Sequence, residues 1–214
     1  MWWYLRRLTV SAIPKQKLTE AEYLEIERAA EFKSEFYDGV MYPMQGPPHI
    51  LGMAGASFDH NRIKENVTFE LNSRLRDGPC EALSSDMRVK VLATGLQTYP
   101  DVVVYCGTPE FLDEKRDTLL NPTLLVEVLS ESTEKYDRTT KSKHYRRIPS
   151  LREYLLISQD HVSVERFVRQ ANGRWQLTEF EDLAASLDLE ALSVEIPLAA
   201  IYRGVQLPEH PPLR

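Results

Sequence analysis

The stretch "NPTLLVEVLSES", residues 121–132, decides how the rest of the chain is read. Its even positions are Leu124, Val126 and Val128. Its odd positions are Thr123, Leu125, Glu127 and Leu129. Side chains of a β-strand alternate between two faces, so this strand is apolar on both. Such a strand belongs at the centre of a sheet that is covered on each side. Into that setting the sequence puts one carboxylate, Glu127. Leaving it buried and unpaired costs on the order of several kcal/mol, so a partner or a task is expected for it.

Upstream, "YPDVVVY" (99–105) is a second short apolar strand, with Asp101 directly after Pro100. If the two strands are neighbours, Asp101 and Glu127 meet at one place. Two carboxylates held together repel, and they need a cation or a shared proton. Oxygen-only ligation of this kind suits Mg²⁺ or Mn²⁺. Downstream, "STEKYDRTTKSKHYRRIPS" (132–150) reads as a helix ended by Pro149. On it Asp137, Lys141 and Tyr145 share a face at spacings of four. If that face looks toward the carboxylates, Lys141 brings an ammonium beside the metal. A metal that polarises a phosphoryl oxygen, and a lysine that orients water and stabilises developing charge, together describe metal-assisted phosphodiester hydrolysis.

The remaining elements follow from local signals. "LTEAEYLEIERAAEFK" (18–33) is a helix, with Thr19 and Glu22 forming a capping box. "SEFYDGVMYPM" (34–44) is a hairpin turning at Asp38-Gly39. Ile63, Val67, Leu71 and Leu75 recur every four residues in a second helix, stopped by Gly78-Pro79. "SDMRVKVLA" (85–93) alternates like a strand, with Arg88 and Lys90 as its solvated face. "REYLLIS", "HVSVERFVRQ" and "RWQLTEFE" are later strands, with a turn at Asn172-Gly173, and "IPLAAIYRG" is a closing turn of helix. The order of helix, hairpin, helix, strands, helix, strands predicts a mixed α/β or α+β sheet with helices packed on it.

Composition narrows the class. With 43% hydrophobic and 27% charged residues, the 214-residue chain suits one large globular domain. No apolar run is long enough to span a bilayer, and the start is a poor signal peptide, so a cytoplasmic protein is expected. Cys80 and Cys106, with no CxxC, read as two reduced thiols, and a zinc site is not expected. The net charge of −6 means that any nucleic-acid surface must be local. The candidate is the basic stretch 134–152, with Arg138, Lys143, Arg146 and Arg147. It either tracks a phosphate backbone or is a charged, solvated helix face. His60, at a helix start, is a packing or hydrogen-bonding residue or lines the cleft. His144 either touches phosphate or packs on the sheet. Asp38 is a turn residue, and Asp86 a strand-entry residue or a carboxylate behind the ligands.

Taken together, "YPDVVVY", "LLVEVLSEST" and "YDRTTKSKHYRRIPSLREYLLIS" resemble the Uma-two family of restriction-endonuclease-like proteins, abundant in cyanobacteria and part of the PD-(D/E)xK nuclease superfamily. "SEFYDGVMYPM" and "FDHNRIKENVTFEL" are similar to that family's early hairpin and the helix after it. The resemblance runs from about residue 18 to about 203. It implies an N-terminal extension (1–17), a single nuclease-like domain (18–203) and a proline-rich tail (204–214). The implied fold is a restriction-endonuclease-like mixed central sheet flanked by helices, with added strands. The implied activity is Mg²⁺-dependent (or Mn²⁺-dependent) endonucleolytic cleavage of DNA, with Asp101 and Glu127 as ligands and Glu35 completing the site. The superfamily's lysine normally stands two residues after the glutamate, where this chain has Leu129. Lys141 matches the family's own lysine and is expected to replace it from the next helix. A homodimer is implied by type. The alternative is a catalytically inactive module of the same fold that binds nucleic acid or protein, favoured by Leu129 and the negative net charge. A carboxylate-pair hydrolase acting on sugars finds no aromatic-lined neighbourhood near these motifs.

Overall fold

A computed structural model describes residues 17–44 and 56–207. The expected extension, Lys17 excepted, and the expected tail beyond residue 207 lie outside the described residues. Helix α1 (Glu20–Ala29) starts as its sequence dictates. Thr19 Oγ1 accepts from the Glu22 amide at 3.3 Å, and the Glu22 carboxylate accepts from the Thr19 amide at 2.7 Å. Thr19→Ala is expected to cost about 1 kcal/mol in urea unfolding. An unchanged midpoint would mean that α1 is held by packing alone. Strands β1 (Ser34–Tyr37) and β2 (Val40–Pro43) turn at Asp38 and Gly39. Both turn residues have positive φ, 48° and 78°, as a two-residue hairpin requires.

Helix α2 (Phe58–Leu75) is capped by Ser57, whose hydroxyl accepts from the His60 amide at 3.0 Å. It buries Ile63, Val67, Leu71 and Leu75 along one stripe. Six strands follow: β3 (Cys80–Ser84), β4 (Arg88–Lys90), β5 (Gln97–Thr98), β6 (Val102–Cys106), β7 (Thr118–Leu119) and β8 (Leu124–Leu129). The segment after β8 is a helix of mixed type. One turn, α3 (Glu134–Tyr136), opens into a π-helical turn (Asp137–Lys141) and closes as α4 (Ser142–Tyr145). The chain ends in β9 (Glu153–Ser158), β10 (Val164–Arg169), β11 (Trp175–Phe180), β12 (Ser186–Leu189), β13 (Val194–Pro197) and the short α5 (Leu198–Ile201).

The central sheet is mixed and six-stranded, in the order β11-β10-β9-β8-β6-β3, with β8 and β9 parallel. All six residues of β8 are buried. Leu124, Val126 and Val128 pack with α2, α5 and the β12–β13 ribbon. Leu125 and Leu129 pack on the other side with Val89, Leu96, Leu119 and Tyr145. That second side is covered partly by a smaller sheet, β2-β1-β5-β4-β7. The strand read as two-faced is therefore the covered centre of the sheet, and Glu127 points toward the smaller sheet and the π turn. No helix among the described residues is long and apolar enough to cross a membrane.

Two expectations fail. Arg88 and Lys90 are not a solvated face. Arg88 is 2% exposed; its Nε donates to Thr118 Oγ1 at 2.8 Å, and its guanidinium pairs with Asp117 at 3.1 Å. Lys90 is paired with Glu20 of α1. β4 turns Val89 into the core, and its other face meets Tyr23 and Glu20 of α1, so its polar residues are covered and must find partners. Cys80 and Cys106 are not free thiols either. The antiparallel β3–β6 register sets them directly opposite each other, and their sulfurs are bonded. Their separation of 26 residues concealed a pairing that only strand register creates.

Candidate active site

The β6–β8 register builds the site. Val102 pairs with Val126 in antiparallel register, and one residue further along the same ladder Asp101 comes opposite Glu127. Asp101 Oδ2 accepts from the Val128 amide at 2.8 Å and lies 3.3 Å from His60 Nε2 on α2. Glu127, 3% exposed, is bonded through Oε1 to Tyr145 Oη, which donates at 2.7 Å.

Lys141 ends the π turn and is almost fully covered. Its ammonium lies 2.9 Å from Glu127 Oε1, 3.2 Å from Asp137 Oδ1 and 3.5 Å from Glu35 Oε1. π-Helical turns are rare and are frequently found at functional sites. Here the turn spans Asp137 to Lys141, so the irregular stretch is the one that carries the charges. Glu35 arrives from β1, held by the Tyr136 hydroxyl at 2.8 Å and by the Thr98 hydroxyl.

One ammonium thus serves three buried carboxylates, and Asp101 adds a fourth nearby. The titration of the group reflects that imbalance. Burial pushes the Glu127 carboxyl up to about 8; Lys141 works against the rise, and the charges of Asp137 and Asp101 add to it. Burial also raises Asp137, against the pull of Lys141. For Lys141 burial favours the neutral amine. Asp137, Glu127, Tyr145 and Glu35 outweigh it and hold the side chain charged, well above the ordinary lysine range.

The cluster opens onto a cleft of about 890 Å³, whose walls include Asp101, Glu127, Asp137, Lys141, His60 and Lys64. Of the residues singled out in the sequence, Asp101, Glu127, Lys141 and Glu35 come together, although Glu35 sits behind Lys141 and not on the cleft wall. The basic stretch does not join them. None of Arg138, Lys143, Arg146 and Arg147 lines the cleft. Arg138 is held by Glu134 at 2.8 Å and by Glu165, and the Arg146 guanidinium lies 5.3 Å from the Phe167 ring centre. Lys143 and Arg147 are exposed. His144 is bonded to Thr94 at 2.8 Å, away from the cleft, whereas His60 and Asp86 line it. Sequence reasoning took Asp137 only as the lysine's helical neighbour and passed over Lys64 altogether. The signals were present: Asp137 lies four residues before Lys141, and Lys64 four after His60.

Among the described residues, no three His, Cys, Asp or Glu side chains form a ready-made metal cage. That does not count against Mg²⁺, which keeps several waters and is commonly held by only one or two carboxylates. An adjacent pair of hard oxygen donors, one of them destabilised as an anion by burial and by its acidic neighbours, fits such an ion.

A mixed sheet that carries an acidic pair at the mouth of a cleft, with a lysine from the following helix, defines a restriction-endonuclease-like fold. The chain matches the Uma2 family model, described as "Putative restriction endonuclease", over residues 20–200, and it belongs to that family. It is 37% identical to the protein sll1609 of Synechocystis sp. over 83% of this chain and 95% of that protein. With slr1290 of the same organism it shares 32% identity, over 90% and 95% of the two chains. Its fold is similar to the crystal structure of a "putative nuclease belonging to DUF820" from Anabaena variabilis. The TM-score is 0.66 at 17% identity, covering 85% of this chain and 96% of that one.

Proposed function

We propose that the protein is a Mg²⁺-dependent endonuclease that hydrolyses DNA phosphodiester bonds in this cleft. The observation that carries the reading is the convergence of Asp101, Glu127 and Lys141 from three separate elements at one buried edge of the cleft. Asp101 and Glu127 would hold the ion. The bonds described above fall on Asp101 Oδ2 and Glu127 Oε1. When bound, Mg²⁺ supplies positive charge to a phosphoryl oxygen and makes water more acidic.

The protein's own groups do the rest. The Val128 amide and His60 fix the Asp101 carboxylate, and Tyr145 fixes Glu127, so neither must reorganise when substrate arrives. Lys141 keeps its charge and can turn from the carboxylates toward a phosphate oxygen or the attacking water. Asp137 and Glu35 keep that ammonium charged and in place. Leu129 packs in the apolar core, and the lysine comes instead from the helix over the same face of the sheet.

The test is a Mg²⁺ nuclease assay with purified wild type and Asp101→Ala across a range of salt concentrations. Cleavage by wild type and loss of it in the variant is expected. Equal activity in both would remove Asp101 from the site. A second reading, a nuclease-fold module that binds without cleaving, is favoured by the 2.9 Å ion pair between Lys141 and Glu127, which could satisfy Glu127 with no metal at all. In that case wild type binds no Mg²⁺ in calorimetry.

A further inference from the structure

We infer that the nucleic-acid backbone is gripped inside the cleft by Lys64 and Lys33, and not by the basic stretch after β8. This rests on the proposed nuclease reading and specifies how its substrate is held. Lys64 stands four residues after His60 on α2, so the two side chains share the face that turns toward Asp101. One helical turn advances about 5.4 Å, which places Lys64 one step along the cleft from the acidic pair. Its side chain is only 14% exposed, so most of it has already lost solvent. Its ammonium is nevertheless held loosely, at 3.3 Å from Asn61 Oδ1 and 3.3 Å from the largely exposed Glu65. Among the described residues these two long contacts are what hold it, and a covered, cleft-facing cation held in this way is arranged to take an anion.

Lys33 enters from a different wall, just before β1. It donates to the Ser85 carbonyl at 2.9 Å, pairs with the exposed Asp86, and lies 5.4 Å from the Tyr99 ring centre. Both lysines line the cleft that contains Asp101 and Glu127. In contrast Arg138 is neutralised by two glutamates, and Arg146 is spread over Phe167. The ligand chemistry is a run of phosphodiesters, with Lys64 and Lys33 contacting phosphates on either side of the one to be cut.

The test measures binding of a labelled DNA duplex by anisotropy, with Ca²⁺ in place of Mg²⁺, for wild type, Lys64→Ala, Lys33→Ala, Lys64→Arg and the double variant Lys143→Ala/Arg147→Ala. Mg²⁺ affinity is measured separately by calorimetry. Lys64→Ala and Lys33→Ala are each expected to weaken DNA binding several-fold and to lower the slope of log affinity against log salt by about one. Lys64→Arg should restore most of the loss, and Mg²⁺ affinity should stay at the wild-type value. Unchanged DNA affinity and salt slope in both lysine variants overturns the inference. So does a loss seen only in the Lys143/Arg147 variant, or wild type that binds no duplex at any salt. Wild type that binds no Mg²⁺ but loses DNA affinity with Lys64→Ala sinks the nuclease reading and supports this one.

Discussion

Glu127→Gln is expected to abolish Mg²⁺ binding and DNA cleavage while making the protein harder to unfold. The loss of function follows from removing one of two carboxylates that would hold the ion. Transition-state stabilisation by such an ion is worth several kcal/mol, so the rate should fall on the order of a thousandfold. The gain in stability follows from burial. The folded carboxyl is pushed up to about 8 from 4.5, so between those values the folded state holds a proton that the unfolded state has released. Stability therefore falls as pH rises through that window. The neutral amide keeps the shape, has no charge to desolvate, and leaves Lys141 paired with Asp137 and Glu35. Thermal melts across the window should show wild type losing ground to the variant as pH increases, with added Mg²⁺ narrowing the gap only for wild type. A residue that weakens the fold yet is required for activity marks a functional site. Parallel melting curves for the two proteins would say that Glu127 is a structural partner of Lys141.

Lys141→Met should have the opposite effect on stability. It leaves Glu127, Asp137 and Glu35 buried together with no cation among them. Breaking a buried pair by removing one partner costs about 3–5 kcal/mol, because the remaining charge is uncompensated. Urea unfolding without metal should show a loss of that size. Mg²⁺ should recover part of it by supplying the missing positive charge. In the double variant Lys141→Met/Glu127→Gln the cost should be smaller than the sum of the two single-variant effects, since the two changes act on one cluster. A double variant whose stability change equals the sum of the single gain and the single loss would show that the ammonium and the carboxylate do not feel each other.

How much of this was legible in the sequence depended on whether the signal was local. The two-faced pattern of residues 124–129 identified the central strand, because burial on both sides leaves no other composition. The Asp38-Gly39 turn and the Thr19 cap were readable for the same reason: a few adjacent residues dictate the backbone. The meeting of Asp101 with Glu127 needed one further step, the pairing of two recognisable strands. Arg88 was misread because alternation reports a face but not what covers it, and the polar face of β4 meets Tyr23 and Glu20 of α1. β5 and β7 have two residues each, too short for any period to register. The bond between Cys80 and Cys106 depends on strand register alone. The helix over residues 132–150 was expected, but its π turn was not. Lys141, the residue that ends the turn, is the cation of that segment on the cleft wall.

The most direct test is a crystal structure of the wild type soaked in Mn²⁺, read by anomalous scattering. An anomalous peak bound directly by carboxylate oxygens of Asp101 and Glu127 is expected. The Lys141 ammonium should remain in the cleft beside it. No peak at that position at saturating Mn²⁺, with Lys141 still 2.9 Å from Glu127, would contradict the metal site and with it the proposed chemistry.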